Sequence, residues 1–235
     1  MRGHRRALRL TAVTVAAALT LLIAGGGCTT WKPTPQESLQ RVAGSPNYVD
    51  LSSIPSVTID LKYASSDNFL NTNLYGDFRT ALLHRVAAEK LARAARDLER
   101  INPGWRLLVF DALRPRSVQR HFWSRVKGTS QEPYVTDPEI GSIHNFGFAV
   151  DLSLMDPEGY EVDMGTAFDD FTELSEPERE LEFLQAGRLT ARQIEHRQVL
   201  RKVMTEAGFT QLPNEWWHFD ALPADIVRDQ YPIVE

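Results

Sequence analysis

The chain has 235 residues, a formal net charge of −5, 43% hydrophobic residues and 24% charged residues, a balance that excludes a disordered or fibrous protein. No basic tract lies in the body of the chain, which argues against nucleic-acid binding, since that needs clustered positive charge. With a single cysteine, Cys28, neither an intrachain disulfide nor a cysteine-based zinc site can form, so any metal must be held by His and carboxylates.

Met1–Leu10 carries Arg2, Arg5, Arg6 and Arg9 without an acid, and Leu10–Ile23 is an apolar run of 14 residues. A basic start and a short apolar run read as a secretory signal, too short for a comfortable membrane span. The run ends in Ala24-Gly25-Gly26-Gly27-Cys28, which resembles a bacterial lipoprotein processing site with Cys28 as the lipidated residue, although Gly25 stands where that pattern usually has Leu. Residues 1–27 are thus expected to be a signal peptide and 28–46, with Pro33, Pro35, Gly44 and Pro46, a tether. Residues 47–235, about 190 in number, suffice for one domain with a full core. The resulting expectation is export to the bacterial cell envelope, as a periplasmic or outer-surface lipoprotein that meets the membrane only through its lipid.

Within the body, Tyr48–Tyr63 holds β-branched runs broken by Pro55 and predicts short strands; Ser65–Asp77 predicts a loop. Arg79–Arg100 predicts a helix, because Leu82, Leu83, Val86, Ala87, Leu91, Ala94, Ala95 and Leu98 recur at helical spacing. Asn102-Pro103-Gly104 ends it. A buried strand at Trp105–Phe110, a helix over Ser117–Lys127 and a loop over Gly128–Gly141 follow. Phe148–Leu154 predicts a strand, Asp156–Phe171 a loop over the site, Leu189–Ala207 a helix and Trp216–Asp220 a last strand. Without regular βαβ alternation this order predicts an α+β domain, a central antiparallel sheet flanked by helices.

Two short stretches carry the chemistry. Ser142–Asp151 reads S-I-H-N-F-G-F-A-V-D, and Glu215–His218 reads E-W-W-H. A catalytic zinc site takes three protein ligands and leaves one position open; His144, Asp151 and His218 fit that count, with Gly147 allowing the turn between the first two. Glu215 is the candidate general base. In extended chain it would point away from His218, so a bend or bulge near Trp216 is predicted. His84, His121 and His196 have no such neighbours and read as helix residues.

The pattern S-x-H-x-x-G-x-A-x-D followed by E-x-W-H resembles the zinc D-alanyl-D-alanine dipeptidases, the VanX-like group within the D-Ala-D-Ala carboxypeptidase and hedgehog-type metallopeptidase superfamily. Further matches are D-x-K-Y-A-x-x-D-N-F at Asp60–Phe69, D-x-x-R-P at Asp111–Pro115 and M-G-x-x-F-D at Met164–Asp169. The resemblance implies one Zn²⁺ on His144, Asp151 and His218, Glu215 as base and Arg114 as oxyanion stabiliser, with Asp111 orienting Arg114. It also implies a small dipeptide substrate, with Ser142 near its carboxylate and Tyr63 and Asp169 near its amino end. Phe146 and Phe148 depart from the smaller residues usual there, which raises the expectation of a narrowed pocket. The competing readings are a peptidoglycan carboxypeptidase or endopeptidase of the same superfamily, against which the block with Tyr63 and Asp67 speaks, and a non-catalytic wall-binding module, against which Glu215 and Arg114 speak. The sequence carries no signal of oligomeric state.

Overall fold

The computed structural model describes residues 32–235. The expected signal peptide and the expected lipidation site Cys28 lie outside the described residues. Residues 33–235 form one compact unit.

Helix α1, Pro35–Ala43, comes first. Thr34 and Glu37 form a capping box, Pro35 starts the first turn, and Leu39 is buried. The tether expected over 28–46 is corrected here: its second half is folded and joins the core. The T-x-x-E signature of that capping box, Thr34 to Glu37, stands in the sequence among the prolines and glycine that suggest a tether.

Strand β1 (Tyr48–Asp50) pairs antiparallel with β3 (Leu82–His84), making a two-stranded sheet; β2 (Val57–Ile59) lies between them in sequence. Helix α2 (Arg85–Ile101) therefore starts six residues later than Arg79. Pairing with β1 captures Leu82–His84 for a strand although their spacing continues the helical stripe, and His84 becomes the N-cap through Nδ1. The remaining elements are β4 (Arg106–Asp111), α3 (Arg116–Val126), β5 (Ala149–Met155), α4 (Glu180–Gln185), α5 (Ala191–Glu206), β6 (Thr210–Gln211), β7 (His218–Asp220) and α6 (Ala224–Gln230). Among the described residues no helix is long and apolar enough to cross a membrane.

The main sheet runs β2-β4-β5-β7-β6. All pairs are antiparallel except β2 with β4, so the antiparallel expectation holds for the centre and is corrected at one edge, where a crossover through β3 and α2 returns the chain in the same direction. Residues alternate between faces along each strand. Leu107 and Val109 of β4 and Val150, Leu152 and Leu154 of β5 belong to the apolar core, as do Leu91, Ala95 and Leu98 of α2 and Leu200 and Val203 of α5. Asp151 and His218, direct cross-strand partners, lie on the face opposite these β5 residues.

A bulge decides what joins them there. Val109 pairs with Leu152, yet the next partner of Asp151 is Asp111 rather than Phe110. The extra residue switches Asp111 to the face of Asp151 and His218. Every side chain that follows in the D-x-x-R-P segment is aimed by that one-residue slip.

Candidate active site

His144 lies in a short 3₁₀ turn, Ile143–Phe146, that enters β5. Gly147 ends the turn at φ +76°, where a Cβ would come within 2.9 Å of Tyr48 and 3.0 Å of the His84 backbone nitrogen. Only glycine meets both the left-handed backbone and the close approach. Asp151 sits in β5, and His218 opens β7 after the chain bends at Trp216 and Trp217. That bend is the one expected from the sequence, and it turns Glu215 toward His218, with 3.8 Å between Glu215 Oε2 and His218 Nδ1.

Three possible ligand atoms converge. His144 Nε2 lies 3.2 Å from His218 Nδ1 and 3.2 Å from Asp151 Oδ2, while His218 Nδ1 lies 2.9 Å from Asp151 Oδ1. All three residues are buried. An ion with tetrahedral ligands at about 2.0–2.1 Å requires ligand atoms about 3.3–3.4 Å apart, so little movement separates this arrangement from a filled site. Among the described residues it is the one group of His, Cys, Asp or Glu side chains that could hold a metal ion in this way.

The second nitrogen of each histidine is already engaged. His144 Nδ1–H donates to the Ala112 carbonyl at 2.7 Å, and His218 Nε2–H donates to Asp220 Oδ1 at 3.0 Å. These bonds turn His144 Nε2 and His218 Nδ1 toward each other and toward Asp151, and a bound ion would take the place of the His218 Nδ1 proton. Charge agrees with geometry. Burial would lower the His218 pKa, yet Asp220 and Asp151 hold it well above the usual histidine value; the site attracts positive charge. Burial would raise Asp151, but His144 and His218 hold it well below the carboxylate range.

Arg114 completes the floor. It is buried, with Nε bonded to Asp111 Oδ2 at 2.7 Å, Nη1 to Gln119 Oε1 at 2.9 Å and Nη2 to Asp151 Oδ2 at 3.3 Å. Its guanidinium stacks over Phe122 at 4.5 Å. Burial opposes the charge, but Asp111, Tyr63 and Asp151 more than offset it and raise the pKa. Asp111 in turn accepts from Tyr75 at 2.6 Å. Opposite, the Tyr63 hydroxyl lies 3.0 Å from both oxygens of Asp169. Burial, then the charge of Asp151, pushes the Asp169 carboxyl well above its usual value. Glu215 is buried too, and burial pushes its carboxyl up to about 7 against the opposing pull of His218.

One cleft, with a cavity of about 50 Å³, is lined by Tyr63, Arg114, Ser142, His144, Asp151, Asp169, Glu215 and His218. The sequence of this chain, over residues 45–235, matches the family model described as D-ala-D-ala dipeptidase, peptidase family M15. The chain belongs to the D-Ala-D-Ala dipeptidase family. It is accordingly a metallopeptidase. It is 34% identical over 187 residues to a D-alanyl-D-alanine dipeptidase of Escherichia coli (strain K12), covering 78% of this chain and 90% of that one. A D-alanyl-D-alanine dipeptidase of Synechocystis is 31% identical over 178 residues, 60% of this chain and 67% of its own. Another, from Enterococcus faecium, is 26% identical over 196 residues, 76% and 90% of the two chains.

In this member of the dipeptidase family the cleft brings together all the catalytic, ligand and substrate residues expected from the sequence, with Asp111 directly behind Arg114. Phe146 and Phe148 do not line it, so the expected narrowing is corrected: both are buried core residues, and Phe148 stacks on His84 at 4.5 Å. Asn145 is buried as well, bridging the Ser142 amide and the Arg114 carbonyl. Asp67 is exposed and paired with Lys62 at 2.7 Å, outside the cleft. Arg116 sits at the start of α3, bonded to Glu235. Sequence reasoning passed over Asp220 and Gln119. Strand alternation two residues after His218 could have found Asp220; Gln119 reaches Arg114 only because α3 starts directly behind the loop.

Proposed function

We propose that this chain hydrolyses the D-Ala-D-Ala dipeptide with a zinc ion held by His144, Asp151 and His218. The observation that carries the reading is the convergence of three buried ligand atoms with Glu215 and Arg114 in one small cleft, in a chain whose relatives bear the name of that activity. Zinc follows from the donor set, two imidazoles and a carboxylate with room for a further ligand. When bound, such an ion polarises the scissile carbonyl and lowers the pKa of water.

The protein's own groups do the rest. Glu215, within reach of His218 Nδ1, takes the proton of the attacking water and delivers it to the leaving amine. Arg114 is locked by Asp111 and Gln119, and it presents fixed positive charge beside Asp151, where negative charge develops on the carbonyl oxygen. Asp169 with Tyr63 meets the substrate ammonium, and Ser142, across the cleft, its carboxylate. A carboxylate set to meet the ammonium at one end selects a free dipeptide over an internal bond of a longer chain. The chain is exported and tethered through Cys28, supported by the basic start, the apolar run and the glycine-rich approach to that cysteine; the substrate then comes from cell-wall metabolism outside the cytoplasm.

The test is turnover of D-Ala-D-Ala, L-Ala-L-Ala and a cell-wall pentapeptide by the zinc-loaded full chain. Hydrolysis of D-Ala-D-Ala well above the others supports the reading. Cleavage of the pentapeptide but not the dipeptide would sink it in favour of a wall carboxypeptidase. Zinc content of Glu215→Ala separates a base from a ligand: the base role requires zinc retained and turnover lost.

A further inference from the structure

The buried face of α5 carries a charged side chain that the reaction leaves unused. Arg197 is 1% exposed, and taking a guanidinium out of water is costly unless its donors are satisfied. Its Nε donates to the Met164 carbonyl at 2.7 Å and its Nη1 to the Leu174 carbonyl at 3.1 Å. Those two carbonyls are the feet of the loop that carries Asp169. The guanidinium also lies 5.8 Å from the ring of Trp216, the neighbour of Glu215. The carboxylate within 4 Å of it among the described residues, Glu180 at 3.8 Å, bonds Arg201 at 2.6 Å instead. Arg197 is thus engaged through Nε and Nη1 by backbone carbonyls rather than by a close counter-charge, and its Nη2 has no hydrogen-bond partner among the described residues.

The loop needs such restraint. Asp169 holds φ +61°, a left-handed conformation that costs any side chain some strain, though Asp less than most. Its carboxyl must stay charged in a buried place to meet an ammonium, while burial works against that charge. A second brace crosses the loop: Trp216 Nε1–H donates to Thr166 Oγ1 at 2.7 Å, Thr166 and Ser175 hydroxyls lie 3.0 Å apart, and Ser175 donates to the Asp170 carbonyl at 2.7 Å. Loop and base-bearing segment are therefore fastened to the same two side chains, Arg197 and Trp216.

We propose that Arg197 is a positioning residue for recognition of the substrate's amino end: by clamping both feet of the 164–174 loop it holds Asp169 in register with the metal centre. The proposal rests on the reading of Asp169 as the ammonium contact. Arginine suits the task because its planar fork spans two carbonyls, which a lysine ammonium cannot do in fixed geometry.

The test compares KM for D-Ala-D-Ala with the competitive inhibition constant of its desamino analogue, propionyl-D-alanine, in the zinc-loaded full chain. The inhibition constant divided by KM isolates the ammonium contribution. In Arg197→Lys the ratio falls roughly tenfold through a raised KM, with kcat within about threefold and zinc affinity unchanged, because only the loop is displaced. Arg197→Gln, which keeps one of the two bonds without the charge, gives an intermediate fall and serves if the lysine variant does not fold. Asp169→Asn is run alongside. If the ratio falls in Asp169→Asn but stays at its wild-type value in the Arg197 variants, whatever their loss of thermal stability, the clamp is overturned and the ammonium reading stands. If it stays in all the variants, the ammonium reading itself fails and the clamp falls with it.

Discussion

Glu215 and Asp220 approach His218 from opposite sides of its ring, one 3.8 Å from Nδ1 and the other 3.0 Å from Nε2. The two carboxylates should separate cleanly on mutation. Burial pushes Glu215 up to about 7, and a dication beside it favours the carboxylate and moves the value down. A base must be deprotonated, so kcat/KM rises with pH along an acid limb whose midpoint lies no higher than about 7. Glu215→Gln removes that limb and lowers kcat by about 10²–10⁴-fold; pH–rate profiles of wild type and variant, with metal analysis, check it. Asp220→Ala acts on the metal instead. Losing the partner that sets the His218 tautomer weakens metal affinity by about 10–100-fold, read by competition with a chromogenic chelator. An unchanged affinity would mean the Nε2 bond has no part in presenting Nδ1.

At the scale of the element, α1 and the bulge in β4 show two ways in which a stretch acquires a role. The first is local chemistry with tertiary anchorage. The Thr34–Glu37 capping box starts α1, and Leu39, 1% exposed, pins it to the core. Leu39→Ala should lower unfolding stability by about 2–5 kcal/mol in urea titration, whereas the same change in a tether would leave stability within about 0.5 kcal/mol. The second is purely relational. The bulge exists only because β4 pairs with β5, and it puts Asp111 opposite Asp151; from there Asp111 holds Arg114, and Arg114 reaches the ligand carboxylate.

For the molecule as a whole, the metal centre joins elements far apart in the chain. His144, Asp151 and His218 come from a turn and two neighbouring strands, and Arg114 from the loop that leaves β4. An ion bound only by the folded state adds about 4 kcal/mol at a free concentration 1,000-fold above its Kd, which for a domain of this size corresponds to about 8–16 °C in Tm. Thermal melts with and without a chelator should differ by that order, and the difference should shrink in Asp220→Ala. Equal melts would show that the three side chains hold no ion in the folded protein.

Much of this protein was legible in one dimension. The helices that pack on the sheet and the three central strands follow from periodicity and turn residues, because those signals are local; the meeting of His144, Asp151, His218 and Glu215 in one cleft follows from their spacing together with the family resemblance of the motifs around them. The bend at Trp216 was legible for the same reason: alternation forbids Glu215 and His218 from sharing a site without it. What the chain did not show locally was decided by partners distant in sequence. Strand β1 turned Leu82–His84 from helix into strand; β5 set the bulge that aims Arg114; and packing withdrew Phe146 and Phe148 from the pocket into the core. Asp220 and Arg197 belong to the same class. Each looks like a surface charge in the sequence, and each takes its role from a hydrogen-bond partner that only the assembled sheet and loop bring within about 3 Å.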